Sequence, residues 1–253
     1  MKIITHKYFP INNLFTSVGV FVLYCIIAIG AYIPSVSNGF MSDDFTWLEL
    51  LSGGPGSDYN FNDRFFLPLA HYIQYALLFL TGENTLLVHA FQLLIHVINA
   101  YLLFLIINRF QKYQNEKISW IALASGLFFL LCPYNTEAVN WFAAISYTLS
   151  TYFLLMSVIE GLKAIDTGKN KYIFNYALLY LLSLLSKEIS ISAILIPIVV
   201  IAFGLISKSK QIYKLFIYGI GVLILYLVLR TIILGSVIGG YGTDIHTQFS
   251  PDF

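Results

Sequence analysis

Charge is what this sequence has least of. Only 11% of its 253 residues are Asp, Glu, Lys or Arg, against about 25% in an ordinary soluble domain. The two signs nearly cancel, at +1, so nothing in the balance favours a polyanion, and no nucleic-acid partner is expected. Cysteine is almost missing. Cys25 and Cys132 both lie in apolar runs and read as packing residues, which leaves no disulfide framework and no Cys/His metal spacing. There is no Asn-x-Ser/Thr sequon, no Gly-x-x-x-x-Gly-Lys phosphate loop and no Gly-x-Gly-x-x-Gly between strand and helix, so no nucleotide site is expected. No cofactor is expected either.

What is present is apolar: 58% of the chain is hydrophobic. The pattern predicts an all-α polytopic membrane protein. Candidate spans cover 14–34, 86–108, 118–133, 138–160, 172–186, 189–206 and 212–234. Two of them, 118–133 and 172–186, are short against the roughly 20 residues that a bilayer requires. The first run follows Lys2 and Lys7, and Ser35-Val36-Ser37 has the small residues of a cleavage site. Its apolar core exceeds the roughly 7–15 residues of a signal peptide, so it is read as an uncleaved anchor. Residues 35–85 form a long loop, and 235–253 a Gly-rich tail that looks like the start of a further outer loop.

The stretch 65–80 is apolar but would reach only about 24 Å as a helix. Lysine and arginine decide its fate, because cytoplasmic loops are enriched in them. If it does not cross and the N-terminus is inside, 11 of the 14 basic residues face the cytoplasm, leaving Arg64, Lys187 and Arg230 at outer ends. If it crosses, only four remain inside. Seven spans are therefore expected, with 65–80 a helix on the outer surface or half buried there.

That topology gathers polar groups at outer ends. They are Asp43-Asp44, Asn62-Asp63-Arg64 followed by His71, the turn Pro133-Tyr134-Asn135-Thr136-Glu137 followed by Asn140, and Ser186-Lys187-Glu188. Asp43-Asp44 has two readings, a helix N-cap or a catalytic acid pair. Lys187-Glu188 has two as well: a solvated interfacial turn, or charges drawn into a cavity at membrane depth. His89, Gln92, His96 and Asn99 fall on one face of span 86–108. The two histidines are about 10 Å apart along the axis, too far to share a metal, so the face reads as a stripe of packing hydrogen bonds. Ser146, Ser150 and Ser157 read as small-residue helix packing, and Pro197 as a kink.

In this order the motifs resemble the GT-C superfamily of integral-membrane glycosyltransferases, and within it the protein O-mannosyltransferase-like and transmembrane-and-TPR branch. The resemblance is carried by Asp43-Asp44 after span one, Arg64-x-x-x-Pro68-Leu69, Leu87-x-His89, Leu94-x-His96, Pro133-x-Asn135-Thr136-Glu137-Ala138-Val139 and Leu185-Ser186-Lys187-Glu188. Where that branch has His-Pro-x-His-Thr-Glu-Ala-Val, this chain has Cys132 and Asn135 in place of the histidines, whose roles do not carry over.

The resemblance implies a seven-span module, a polyprenyl-phosphate sugar donor, and a protein, glycan or lipid acceptor on the extracytoplasmic face, as in a bacterial inner membrane. It implies Asp43 or Asp44 as base, Arg64, Lys187 and Arg230 as cations for the donor phosphate, and His71, Glu137, Asn140 and Glu188 as supporting groups. Asp43, the first acid of the pair, is the preferred base. Rival readings are a metal-dependent oligosaccharide transferase, in which the acids hold a divalent cation, and an inactive or truncated scaffold subunit. A transporter would concentrate its ionisable groups near mid-membrane, unlike this chain.

Overall fold

A computed structural model describes residues 14–52, 65–110, 119–198 and 210–235. Arg64, the latter part of run 189–206 and the tail beyond 235 lie outside them. Every regular element among the described residues is helical.

In chain order these are α1 (Leu14–Val36), α2 (Asp43–Ser52), α3 (Pro68–Thr81), α4 (Thr85–Phe110) and α5 (Trp120–Leu131). A broken segment follows, made of a 3₁₀ turn at Pro133–Asn135, the short α6 (Thr136–Asn140) and a second 3₁₀ turn at Phe142–Ala144. The chain continues with α7 (Ile145–Thr167), α8 (Asn170–Ser186), a 3₁₀ stretch at Glu188–Leu195 and α9 (Lys210–Leu234).

Four helical stretches are long and apolar enough to cross a membrane: Ser17–Pro34, Thr85–Phe110, Phe142–Thr167 and Lys210–Leu234, with mean hydropathies from 1.6 to 2.3. They correspond to expected spans 14–34, 86–108, 138–160 and 212–234. The other three expected spans look different. Run 118–133 holds a helix of only 12 residues, and run 172–186 one of 17. The described part of run 189–206 begins as 3₁₀ rather than α-helix. Run 65–80 is the 14-residue α3. Pro68 opens it, where a missing N–H costs nothing. Gly82 closes it at φ 59, donating its N–H to the Leu78 carbonyl in the left-handed conformation that glycine adopts without strain.

Helices α4 and α7 form the centre, each with about half of its long apolar stretch buried. On one side of α4, α1 and α5 build a core around Val20, Tyr24, Ala28, Val97 and Leu130. Tyr24 and Tyr32 of α1 donate their hydroxyls to the Leu123 and Leu130 carbonyls of α5, at 2.9 and 2.8 Å. This packing needs a glycine at 126, since a Cβ there would lie 2.2 Å from the Tyr24 hydroxyl oxygen. On the other side, α2 and α3 pack over Phe142, Ile145 and Leu149. A third cluster joins α8 and α9 through Tyr180, Leu184 and Tyr226.

The expected span 138–160 is not continuous. The backbone breaks at Trp141–Ala144 and only then enters α7. A break inside an apolar bundle strands carbonyls that must find other donors, and the polar faces of α3 and α4 supply them. Gln92 donates to the Trp141 carbonyl at 2.8 Å and Gln74 to that of Phe142 at 3.2 Å. One turn further along α4, the His96 ring Nε2 donates to Leu130 O at 3.1 Å, and Asn99 donates to Thr148 O at 2.9 Å. Three members of the expected stripe, Gln92, His96 and Asn99, thus form a ladder of packing hydrogen bonds to the broken segment and its flanks; the fourth, His89, is buried with neither ring nitrogen in such a bond among the described residues.

Candidate functional site

Between α2, α4, the broken segment, α7 and the Lys187 turn lies a cavity of about 450 Å³. That is within the usual range of about 300–1,000 Å³ for a small-molecule site. Asp43, Glu137 and Lys187 contribute its charged groups, and its aromatic walls include Trp47, Phe65, Trp141 and Tyr147.

The two adjacent acids have separate surroundings. Asp44 is fully buried. One carboxylate oxygen accepts the Met41 N–H at 3.0 Å, reaching back over the start of α2 as the acid of a capping box does. The other accepts the Ala143 N–H at 2.7 Å and so ties α2 to the broken segment. Burial pushes the Asp44 carboxyl above its ordinary value, and the N–H donors of Met41, Ala143 and Phe142 pull it part of the way back. Asp43 is exposed and lines the cavity. The capping role thus belongs to Asp44, and Asp43 is the acid turned to the site.

Lys187 follows the last residue of α8 in extended conformation, at φ −161 and ψ 132. Its ammonium stands 4.9 Å from the Phe65 ring centroid and 4.7 Å from that of Tyr147, a contact favoured by the negative faces of aromatic rings. Among the described residues it has no carboxylate within ion-pair distance. A cation held by rings on a cavity wall is suited to an anionic ligand.

The backbone that carries Lys187 is fixed by three buried serines. Ser150 Oγ lies 2.6 Å from Ser190 Oγ, and its one proton is within reach of the carbonyls of Ser183 and Lys187, at 3.0 and 3.3 Å. Ser183 Oγ donates to Ser150 O at 2.7 Å and lies 2.6 Å from Ser190 Oγ. Ser150 therefore does more than permit close helix packing. It fastens α7 to the turn that presents Lys187.

The other expected residues are dispersed. Glu137 is exposed on the cavity wall. His71 is buried beneath Trp47, ring centroids 4.6 Å apart. Burial, and secondarily the charge of Lys187, push its pKa down to about 4. Neither Asn140 nor Glu188 lines the cavity, and the Glu188 Oε2 atom is buried without a hydrogen bond. Arg230 lies away from the cavity, buried near the end of α9 beside the Tyr226 hydroxyl at 3.4 Å. Its expected place on the donor phosphate has no support from this geometry: burial in a helix packed on α8 keeps it from the cavity wall. Arg64 is among the residues not described. No three His, Cys, Asp or Glu side chains converge among the described residues.

Sequence reasoning missed Trp47, Phe65, Tyr147 and Trp141 as walls of the site. Aromatic residues make up 17% of this chain, so none of the four stands out until the fold brings it beside Asp43 or Lys187. Asn99 and His96 were visible as a polar face, but not as cavity residues. Compared with known proteins, the chain matches no protein-family model and no curated sequence.

Proposed function

We propose that the chain is a membrane glycosyltransferase of GT-C type, transferring a sugar from a polyprenyl-phosphate donor to an acceptor hydroxyl on the extracytoplasmic face. One observation carries the reading: the Lys187 ammonium, clasped by two rings and with no carboxylate among the described residues at ion-pair distance, shares a cavity with the exposed acid Asp43. A transfer of this kind needs a cation for the departing phosphate and a base for the incoming hydroxyl.

In the proposed reaction the acceptor oxygen attacks the anomeric carbon while its proton passes to Asp43. The bond from that carbon to the phosphate oxygen breaks. The phosphate keeps the electron pair, and its charge is stabilised by Lys187. A single displacement inverts the anomeric centre. Glu137 is assigned to contact with acceptor or sugar. Asp44, buried and tied to two backbone segments, is assigned to holding Asp43 and the broken segment in register.

The proposal includes a topology of seven crossings with the N-terminus in the cytoplasm of a bacterial cell and α2 and α3 on the outer side. The clustering of Arg109, Lys163, Lys169 and Lys171 near the opposite ends of α4, α7 and α8 supports it. The deciding measurement is sugar transfer from defined polyprenyl-phosphate sugars in membranes that hold the parent chain, Asp43→Asn or Lys187→Ala. Loss in both variants is expected. Full transfer by Asp43→Asn removes the base. A cysteine-accessibility map that puts residues 109–117 outside overturns the topology.

A further inference from the structure

The basic residues at the end of the molecule opposite the cavity are of two kinds. Helix α7 separates that end from the cavity. Its 23 residues rise about 34 Å, slightly more than the roughly 30 Å hydrocarbon layer of a bilayer. On the α4–α7 side both described cations have an acid: Arg109 pairs with Asp166 at 2.5 Å and Lys163 with Glu160 at 2.6 Å. On the α8–α9 side the lysines have none. Lys169, Lys171, Lys210 and Lys214 are all exposed, and no carboxylate among the described residues comes within ion-pair distance of any of them. Neither helix carries an acid in its first turn. A general bias of one membrane face towards lysine does not choose between the two sides; the pairing does.

Two contacts hold these four lysines at one place. Lys214 Nζ donates to Asn170 Oδ1 at 3.3 Å, and Asn170 stands between Lys169 and Lys171. Gln211, next to Lys210, donates its Nε2 to the carbonyl of Gly168 at 3.2 Å, and Gly168 precedes Lys169. Each lysine is thus within one residue of a contact between the start of α9 and the start of α8 or the turn before it. Lys171 Nζ also stands 4.8 Å from the Tyr172 ring centroid, which leaves its charge in place. Four like charges held close repel one another, and an anion between them relieves this.

The surface beside the lysines selects the kind of anion. Lys171, Phe174 and Leu178 fall at i, i+3 and i+7 along α8, and Lys210, Lys214 and Ile217 at i, i+4 and i+7 along α9. All six are exposed. On each helix the charged end therefore continues into an exposed apolar face, reaching about 10 Å along the axis. A free phosphate or a soluble acidic peptide matches the lysines only. An amphiphile with an anionic head and acyl chains matches both parts.

We infer that the starts of α8 and α9 form a binding surface for an anionic phospholipid, its phosphate among Lys169, Lys171, Lys210 and Lys214 and its acyl chains against Phe174, Leu178 and Ile217. The assignment requires α9 to cross a bilayer and is independent of what the cavity at the other end does.

The test measures dissociation constants for the full chain in an uncharged detergent. The probes are phosphatidylglycerol, phosphatidylcholine with the same acyl chains, inorganic phosphate and polyglutamate. Phosphatidylglycerol is expected to bind about ten-fold tighter than phosphatidylcholine or more, given that one lysine near an anionic headgroup contributes about a factor of five. Lys169→Gln combined with Lys210→Gln is expected to remove most of that preference and leave phosphatidylcholine binding unchanged, and arginine at both positions to keep it. Lys171→Gln combined with Lys214→Gln is a second pair with the same expected loss. Equal affinity for the two lipids, or a preference that both glutamine pairs leave unmoved, overturns the inference. So does inorganic phosphate binding as tightly as phosphatidylglycerol, which makes the site one for a free anion. Polyglutamate binding tighter than phosphatidylglycerol overturns it too, in favour of an acidic protein partner.

Discussion

Replacing each acid of the Asp43-Asp44 pair by asparagine should produce opposite phenotypes. In Asp44→Asn one oxygen remains to accept a backbone N–H, but the other position becomes an NH₂ that faces the Met41 or Ala143 N–H, donor against donor. The change removes one charge-assisted hydrogen bond, worth about 1.5–3 kcal/mol, and leaves a buried N–H unpaired. Relief from burying a charge offsets part of this, so a net loss of about 2 kcal/mol is expected. For a chain of this size that corresponds to a fall in melting temperature of roughly 4–8 °C. Asp43 is exposed and makes no tie between segments, so Asp43→Asn should stay within about 0.5 kcal/mol of the parent while transfer falls by about 10²-fold or more, as for a lost general base. The assays are thermal unfolding of the detergent-purified protein and sugar transfer in membranes. An Asp44→Asn variant that melts like the parent, or an Asp43→Asn variant that melts early and still transfers, refutes the division of labour.

Other outcomes can be checked in parallel. The imidazole of His71, held near 4 in the fold against 6.5 when free, takes up its proton in the unfolded chain first. Stability should therefore be full above about pH 6.5 and decline by up to about 3 kcal/mol as pH falls towards 4; His71→Gln should flatten that decline in melting curves. Ser150→Val removes the hydroxyl that holds the Lys187 carbonyl, so the KM for the donor should rise several-fold with kcat little changed, and Ser150→Thr should restore it. Gly126→Val places side-chain atoms where the Tyr24 hydroxyl stands and should cost about 1–3 kcal/mol by overpacking, read as lower yield of monodisperse protein; Tyr24→Phe should not rescue it, because the ring carbons are also within 2.8 Å.

The helical class and the four helices long and apolar enough to cross a membrane were legible because apolar runs of that length satisfy their own backbone as helices. Local pattern failed where distant partners decide. Nothing between Trp141 and Ala144 is Pro or Gly, yet the helix breaks there. The break is held by Gln92, Gln74 and Asp44, which lie 49, 68 and 99 residues away along the chain. The polar face of α4 was readable from spacing, while the carbonyls it serves were not. Asp43 and Asp44 show the same limit at its smallest scale. Adjacent identical residues have identical propensities, and only the fold sends one to the core and the other to the cavity.

The shortness of α5 has a consequence for the surrounding lipid. Twelve residues rise about 18 Å, against a hydrocarbon layer of about 30 Å. On the reading that α5 crosses, the 3₁₀ turn at Pro133–Asn135 and the start of α6, with the exposed Tyr134, meet the bilayer well before its nominal edge. Lipid beside α5 must then thin, at a cost of fractions of a kcal/mol per Å of mismatch. Acyl-chain length thereby becomes a variable acting on the wall of the cavity itself, with short-chain bilayers easing the fit and long-chain bilayers straining the segment that carries Glu137 and Trp141.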